Sequence, residues 1–296
     1  MKADAKKSAD KKIPVRLTHP ERVLFSDPPI TKQKLADFYR GIADFILPGL
    51  VNRPLMLLRC PQGASGECFF QKHVNRALPA QLREVNDRKD RQRWIYLDGL
   101  EGLLALVQMN CLEFHVWGAT VEQLERPDRL VIDLDPGDEV PWTRVIGAAL
   151  EVRERLARLG LESFVRTSGS KGLHVVIPVQ PVSDWDSARS FARSLAEAMA
   201  QEHPDRYLAA AAKGQRRGRI FLDYPRNARG ATAVCSYSLR NRAGAPIATP
   251  LSWDELPRVR APTQFGFANM RRRLQRLTVD PWAGIERVRQ KLPRLP

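Results

Sequence analysis

The stretch that most constrains this chain is Leu130-Val131-Ile132-Asp133-Leu134-Asp135-Pro136, an apolar run carrying two carboxylates one residue apart. In a β-strand, residues i and i+2 point to the same face. Asp133 and Asp135 therefore project side by side, while Ile132 and Leu134 face a core. Two carboxylates so close repel, and both ionise cheaply only with cations between them. Hard oxygen ligands of this type suit Mg²⁺ or Mn²⁺. Pro136 ends the pairing and puts the couple at a strand end, where sites are commonly built. Asp-x-Asp is frequent as a surface or capping pair, but the apolar flanks make burial, and hence a cation, the stronger reading.

Two further stretches fit the same chemistry. Ser168-Gly169-Ser170-Lys171-Gly172-Leu173-His174 combines glycines that allow close backbone approach with Ser, Lys and His donors suited to phosphate oxygens. It lacks the Walker A spacing, and alone it would equally be a glycine turn with a solvated lysine. Arg219-Ile220-Phe221-Leu222-Asp223-Tyr224-Pro225-Arg226-Asn227 sets Asp223 in an apolar strand before a proline. A third carboxylate is what a pair of ions about 3.5–4 Å apart requires in nucleotidyl transfer. His115, in the alternating run Glu113-Phe114-His115-Val116-Trp117, is a possible phosphate contact, although a lone strand histidine is more often structural. Arg226, Arg229 and Arg240 could neutralise a triphosphate.

Charge supports a polyanionic partner. The 296 residues carry 48 Lys+Arg against 33 Asp+Glu, a net charge of +15, with a pI near 10.1. Cysteines 60, 68, 111 and 235 form no C-x-x-C pair, so zinc is not indicated and the thiols read as incidental ones of a reduced, cytoplasmic chain. No stretch approaches the ~20 apolar residues of a membrane span, and the start resembles no signal peptide. Residues 1–13 read as a basic tail, the edge of an excised piece, before a single domain over 14–296.

Periodicity predicts a helix capped by Thr31 and stopped by Pro48-Gly49, then strands over 53–59, 68–74 and 94–97, with residues 79–93 indistinct. An apolar helix over 100–109 follows, then strands at 113–117 and 129–135. Helices over 142–159 and from Asp184 to Met199 flank strands at 163–166 and 173–179. Strands at 219–224 and 232–239, a capping box at Ser252–Glu255 and an Arg-rich helix over 270–277 complete the chain. Strands outnumber helices without regular alternation, which predicts one α+β domain with two mainly antiparallel sheets around a central cleft flanked by helices.

In order, Asp-Leu-Asp-Pro, Ser-Gly-Ser-Lys-Gly-Leu-His-Val, Phe-Leu-Asp-Tyr-Pro-Arg-Asn and Tyr-Ser-Leu-Arg resemble the polymerase domain of bacterial DNA ligase D, of the archaeo-eukaryotic primase superfamily. The resemblance runs from about Leu17 to Leu292. It implies templated and untemplated addition of ribo- or deoxyribonucleotides at broken or gapped DNA, in concert with ligase and nuclease modules of one polypeptide and bacterial Ku, at the nucleoid. Asp133, Asp135 and Asp223 would ligate two divalent ions, with Mn²⁺ preferred over Mg²⁺. His115, Ser168, Lys171, His174, Arg226 and Arg240 would hold the NTP or dNTP triphosphate. Phe69 and Phe70 would offer a base-stacking ring, and Arg22 and Lys32 would take a DNA 5′-phosphate. The carboxylates alone also fit a two-metal nuclease or phosphatase, and the fold alone a non-catalytic DNA-end binder; nucleotide binding at the 168–174 loop separates these from a polymerase.

Overall fold

The computed structural model describes residues 14–74, 77–210 and 216–293; the expected basic tail at 1–13 lies outside them. The chain opens with strands β1 (Val23–Phe25) and β2 (Ile30–Thr31). The Thr31 hydroxyl accepts the Lys34 N–H and caps α1 (Lys32–Gly41), as the sequence predicts. The single helix expected to reach Pro48-Gly49 is instead two. At Ile42 the backbone leaves helical geometry (φ −123°, ψ 18°) and the side chain enters the core. A second helix, α2 (Ala43–Leu50), then runs through Pro48, whose missing N–H forfeits one hydrogen bond while Ile46 and Leu50 remain buried.

Next come β3 (Leu55–Arg59), β4 (Phe69–Gln71), β5 (Arg83–Asp87), β6 (Gln92–Tyr96), α3 (Leu100–Gln108) and β7 (Cys111–Val116). The segment 79–93, indistinct in sequence, supplies β5 and pairs antiparallel with β6, Val85 opposite Trp94. Its Arg-Glu-Val-Asn-Asp sequence hides the strand because buried Asp87 takes its counter-charge from outside the hairpin, with Arg229 donating to Oδ1 at 2.7 Å. The rest of the chain gives β8 (Arg129–Pro136), α4 (Trp142–Arg158), β9 (Phe164–Thr167), β10 (Leu173–Pro178), α5 (Trp185–Glu202), β11 (Tyr207–Leu208), β12 (Ile220–Asp223), β13 (Ala233–Val234), β14 (Pro250–Leu251) and α6 (Phe267–Arg276). The strand expected over 232–239 ends at Val234, because Tyr237 adopts φ +64° and turns the chain. Only half of the expected capping box forms: the Ser252 hydroxyl accepts the Glu255 N–H, while the Glu255 carboxylate pairs with Arg273.

A six-stranded sheet in the order β11-β12-β8-β10-β9-β14 faces a four-stranded sheet, β13-β7-β3-β4, and all pairings are antiparallel except β11–β12. This is the α+β, two-sheet arrangement expected. Leu130, Ile132 and Leu134 of β8 enter the main core, which they share with Ala149 and Val152 of α4 and Ala188 and Ala192 of α5. The alternate residues Val131, Asp133 and Asp135 are left on the other face of the sheet, and Val131 joins a small cluster with Val176 and Trp282 there.

Two of the thiols are not incidental. β3 and β4 are adjacent, with Arg59 opposite Phe69, so the flanking Cys60 and Cys68 come together and form a disulfide. Cys111 and Cys235 are free and buried. A separation of eight residues carries no such pairing signal; the hairpin creates it.

The ladder between β12 and β8 ends where Asp223 meets Asp133, and a 3₁₀ turn at Tyr224–Asn227 follows. Buried Asn227 continues the ladder with its side chain. Its Oδ1 accepts the Val131 N–H and its Nδ2 donates to the Val131 carbonyl, both at 2.8 Å. The turn that carries Arg226 is thereby fixed beside Asp133. Asn227→Ala would leave two buried backbone groups unmet, so it is expected to lower stability by about 2–4 kcal/mol in chemical denaturation. An unchanged midpoint would show that water replaces the amide.

Candidate active site

Register builds the site. Asp223 of β12 lies opposite Asp133 of β8, which lies opposite His174 of β10, which lies opposite Arg166 of β9. Cross-strand partners share a face, so these four side chains form one row across the six-stranded sheet. Asp135, two residues on from Asp133, lies on the same face opposite Phe221.

The charges in the row are matched closely. Burial pushes the Asp133 carboxyl up to about 7; Arg226 opposes this, and the carboxylates of Asp223 and Asp135 add to it. Burial also raises Asp223. The Arg226 Nε sits 3.2 Å from Asp133 Oδ2 and 3.0 Å from Asp223 Oδ2. Asp135 is held by Arg216 at 2.7 Å, and that guanidinium also stacks 4.3 Å from the Phe221 ring centre. Burial, then Arg166, Arg226 and Arg240, holds His174 well below the usual imidazole range, so it is neutral. Arg166 donates to its Nδ1 from Nε at 3.3 Å and lies 3.1 Å away through its second terminal nitrogen. The ring proton is therefore on Nε2, which faces Asp133 Oδ1 at 3.4 Å. Buried Arg166 also donates to Ser236 Oγ at 3.0 Å, and burial brings its guanidinium down to about 10.

The 168–174 loop joins β9 to β10. The Ser168 hydroxyl accepts the N–H groups of Ser170 and Gly172, at 3.3 and 3.2 Å. Gly169 has φ +64° and lies against Arg240, and a Cβ on Gly172 would stand 1.9 Å from the Leu134 carbonyl. Lys171 is exposed and reaches Asp138 at 3.3 Å. Arg240 donates to the Ser168 carbonyl at 2.6 Å, which ties the loop to the opposite sheet.

On that sheet Glu113 and His115 of β7 share a face with Phe70, since Leu58 lies opposite both Glu113 and Phe70. The Phe70 ring meets His115 edge-on with 5.7 Å between centres and is 54% exposed. Phe69 points to the other face under Arg59, so of the two candidate rings only Phe70 looks into the cleft. Burial alone would raise the Glu113 carboxyl; hydrogen bonding with His115 (2.8 Å) and the charge of Arg240 (2.9 Å) bring it down to about 2. Burial lowers His115, with Glu113 opposing. The two sheets enclose a cavity of about 140 Å³, lined by His115, Asp133, Asp135, Lys171, His174 and Arg240 among others.

The donor set fits divalent ions in kind, since three carboxylates share one face and burial, with the charges of Asp223 and Asp135 adding to it, raises Asp133. In place, two guanidinium groups occupy their oxygens, and among the described residues no three His, Cys, Asp or Glu side chains converge on one point. An ion at Asp133 and Asp223 requires Arg226 to move.

Residues 31–282 match the LigD primase-polymerase domain. The chain belongs to this family. It is 37% identical over 281 residues to the multifunctional non-homologous end joining protein LigD of Pseudomonas aeruginosa, covering 94% of this chain and 34% of that protein. The corresponding protein of Mycolicibacterium smegmatis is 35% identical over 247 residues, 82% of this chain and 32% of its own length. The bifunctional LigD of Bacillus subtilis is 29% identical over 252 residues, 85% of this chain and 41% of its own length. The chain thus spans well under half of these relatives. The solved polymerase domain of Mycobacterium tuberculosis ligase D in complex with DNA superposes with a TM-score of 0.81 at 31% identity, covering 88% of this chain and 94% of that one.

For a LigD-family polymerase domain, two sequence-predicted residues have unexpected surroundings. Lys32 is only 2% exposed, and its Nζ donates to the carbonyls of Thr18 (3.1 Å) and Gln108 (3.2 Å). Burial and then the charge of Arg22 lower its pKa, and Arg22 itself donates to the Pro61 carbonyl at 3.1 Å. Arg226, expected on the triphosphate, sits between carboxylates. Glu113, Arg166 and Arg216 were missed. Arg166 and Glu113 each place a charge in a wholly buried stretch of strand, the signal that exposed the aspartates.

Arg226→Met would remove the cation between Asp133 and Asp223. Because the arginine is partly exposed, the metal-free variant is expected to melt only about 2–4 °C lower than the wild type. Added Mn²⁺ should raise its melting temperature more than that of the wild type. Equal rises by differential scanning fluorimetry would mean that Arg226 and the ion do not compete.

Proposed function

We propose that this domain is a nucleotidyltransferase that extends the 3′-hydroxyl of a primer at DNA breaks and gaps, with or without template guidance, as the polymerase module of an end-joining repair enzyme. The observation that carries the reading is the cross-strand row Asp223–Asp133–His174–Arg166, from which Asp133 and His174, with Asp135 beside them, line one cavity together with His115 and Arg240. Family membership supports this reading, and so does an acidic wall opposite a basic one, the pairing that cations and phosphates would call for. A nuclease or phosphatase needs the first wall, but hydrolysis needs no cradle for a triphosphate.

Asp133, Asp135 and Asp223 would hold two divalent ions, Mn²⁺ in preference to Mg²⁺. Bound there, the ions would lower the pKa of the attacking 3′-hydroxyl and stabilise the departing pyrophosphate. The chain's own groups do the rest. His174 is fixed as an Nε2–H donor by Arg166 and presents a neutral hydrogen bond beside the acidic wall. Arg240, Ser168, Lys171 and His115 take the NTP or dNTP phosphates, and Arg226, released from its carboxylates, joins them. Phe70 stacks on a base, a contact of about 1–3 kcal/mol. Buried Lys32 donates to two carbonyls, with the charges of Arg22 and Glu21 acting on it in opposite senses, and a DNA 5′-phosphate would add a counter-charge to Lys32 and Arg22. Ligase and nuclease modules and bacterial Ku are the proposed partners, and the cytoplasmic nucleoid the proposed location. No described helix is long and apolar enough to cross a membrane.

The test is a gel assay on a gapped, 5′-phosphorylated duplex with NTP or dNTP under Mg²⁺ or Mn²⁺. The wild type is expected to extend the primer, with NTP and Mn²⁺ the best pairing. Asp133→Ala and Asp223→Ala should lose at least about a thousandfold in rate with the fold intact. Extension by either variant at the wild-type rate would falsify the two-metal reading, and primer shortening by the wild type would favour the nuclease.

A further inference from the structure

Outside the metal-binding row, one buried charge organises more of the cleft than any other. Glu113 is 4% exposed, and its carboxylate bonds His115, Arg240 and the backbone of Asn241, all on the basic wall. Oε2 lies 2.8 Å from His115 Nε2 and accepts from Arg240 Nε at 2.9 Å. Oε1 accepts the backbone N–H of Asn241 at 2.8 Å. Both anion-binding side chains thus share one oxygen, and the chain segment carrying Arg240 is pinned through the other.

The geometry continues to both sides. Arg240 reaches across to the Ser168 carbonyl at 2.6 Å, so a path of charged hydrogen bonds runs from β7 of the four-stranded sheet to the glycine loop of the six-stranded one. Behind it, the Asn241 amide lies 3.3 Å from the Cys68 sulfur and 3.8 Å from that of Cys60, at the disulfide that closes the β3–β4 hairpin carrying Phe70. A buried carboxylate is costly unless cations and donors satisfy it, and here the groups that satisfy it would meet the nucleotide.

We infer that Glu113 is a positioning residue for the nucleotide: it holds His115 and Arg240 in one geometry, sets the spacing of the two walls at the phosphate site, and touches no substrate itself. The inference rests on the nucleotidyl-transfer reading for the identity of the ligand. An unanchored guanidinium would sample many rotamers and lose affinity for phosphate, whereas one held by a carboxylate is ordered before the nucleotide arrives. Asp133 and Asp223 do not contact Glu113, so the chemical step should be little affected.

Glu113→Gln preserves the shape and removes the charge. The expected result is a rise of about 10–100-fold in KM for NTP, from loss of two charged hydrogen bonds. The value of kcat should stay within about threefold, because the lost interaction is made equally in ground and transition states. Equilibrium binding of a non-hydrolysable NTP analogue should weaken by the same factor, while binding of a 5′-phosphorylated duplex is unchanged. Glu113→Asp, which keeps the charge but shortens its reach, should fall between. An unaltered KM and analogue affinity overturns the inference. So does a parallel fall in kcat, duplex binding and melting temperature, which is what a merely structural role predicts. If Glu113→Gln does not fold, Glu113→Asp decides: a wild-type KM in that variant overturns the proposal. If the wild type extends no primer, the polymerase reading fails by itself, and analogue binding still reports on Glu113.

Discussion

Everything in the cleft depends on how three carboxylates are kept on one sheet face. Asp133 and Asp223 are cross-strand neighbours, the closest placement a sheet allows, and like charges there destabilise it. Arg226 relieves the pair from above, Arg216 relieves Asp135, and His174 contributes nothing positive because burial and three arginines keep it neutral. Without them the strand would have to take up protons or twist away. The 3₁₀ turn after Asp223 therefore has two tasks: Asn227 fixes it to β8, and Arg226 neutralises what β8 presents.

The same logic, mirrored, holds the opposite wall. There the charge that must be matched is positive, and Glu113 matches it from within the sheet. One wall is acidic with arginine counter-ions, the other basic with a glutamate counter-ion, and Arg240 joins them through Ser168. Each wall carries its own compensation within the protein. Each compensation sits next to the place where a ligand of the same sign would replace or join it.

The carboxylates of the acidic wall and the phosphate donors His115 and Arg240 were legible in the sequence, and the carboxylate of Glu113 that holds those two was not, for a physical reason. Asp133, Asp135 and Asp223 stand at strand ends in apolar runs followed by proline, so burial and termination are both written locally. The Ser168–His174 loop was readable from its glycines, and the close approaches of Gly169 to Arg240 and of Gly172 to Leu134 show why they are needed. Glu113 has the same apolar flanks, but beyond its strand neighbour His115 its partners Arg240 and Asn241 lie over a hundred positions away, and only the fold brings them together. Phe69 and Phe70 are equivalent in sequence, and only the β3–β4 register tells which ring faces the cleft. The Cys60–Cys68 disulfide and strand β5 were missed for the same reason: a hairpin joins the cysteines, and Arg229, far along the chain, satisfies Asp87. Local pattern carries what a strand is, and long-range partners carry what it may bury.

The choice of arginine throughout the cleft follows from these demands. Arg226 spans two carboxylates, Arg166 approaches one imidazole nitrogen through two of its own while also bonding a hydroxyl, and Arg240 bonds a carboxylate and a carbonyl on different sheets. Each depends on several donors held in a fixed plane, and guanidinium offers that where an ammonium does not. Arginine also keeps its charge under the burial that brings Arg166 to about 10, whereas the buried Lys32 is already lowered. Built on arginine, the cleft retains its positive wall at neutral pH, while one arginine, Arg226, occupies the carboxylates at which cations are proposed to bind.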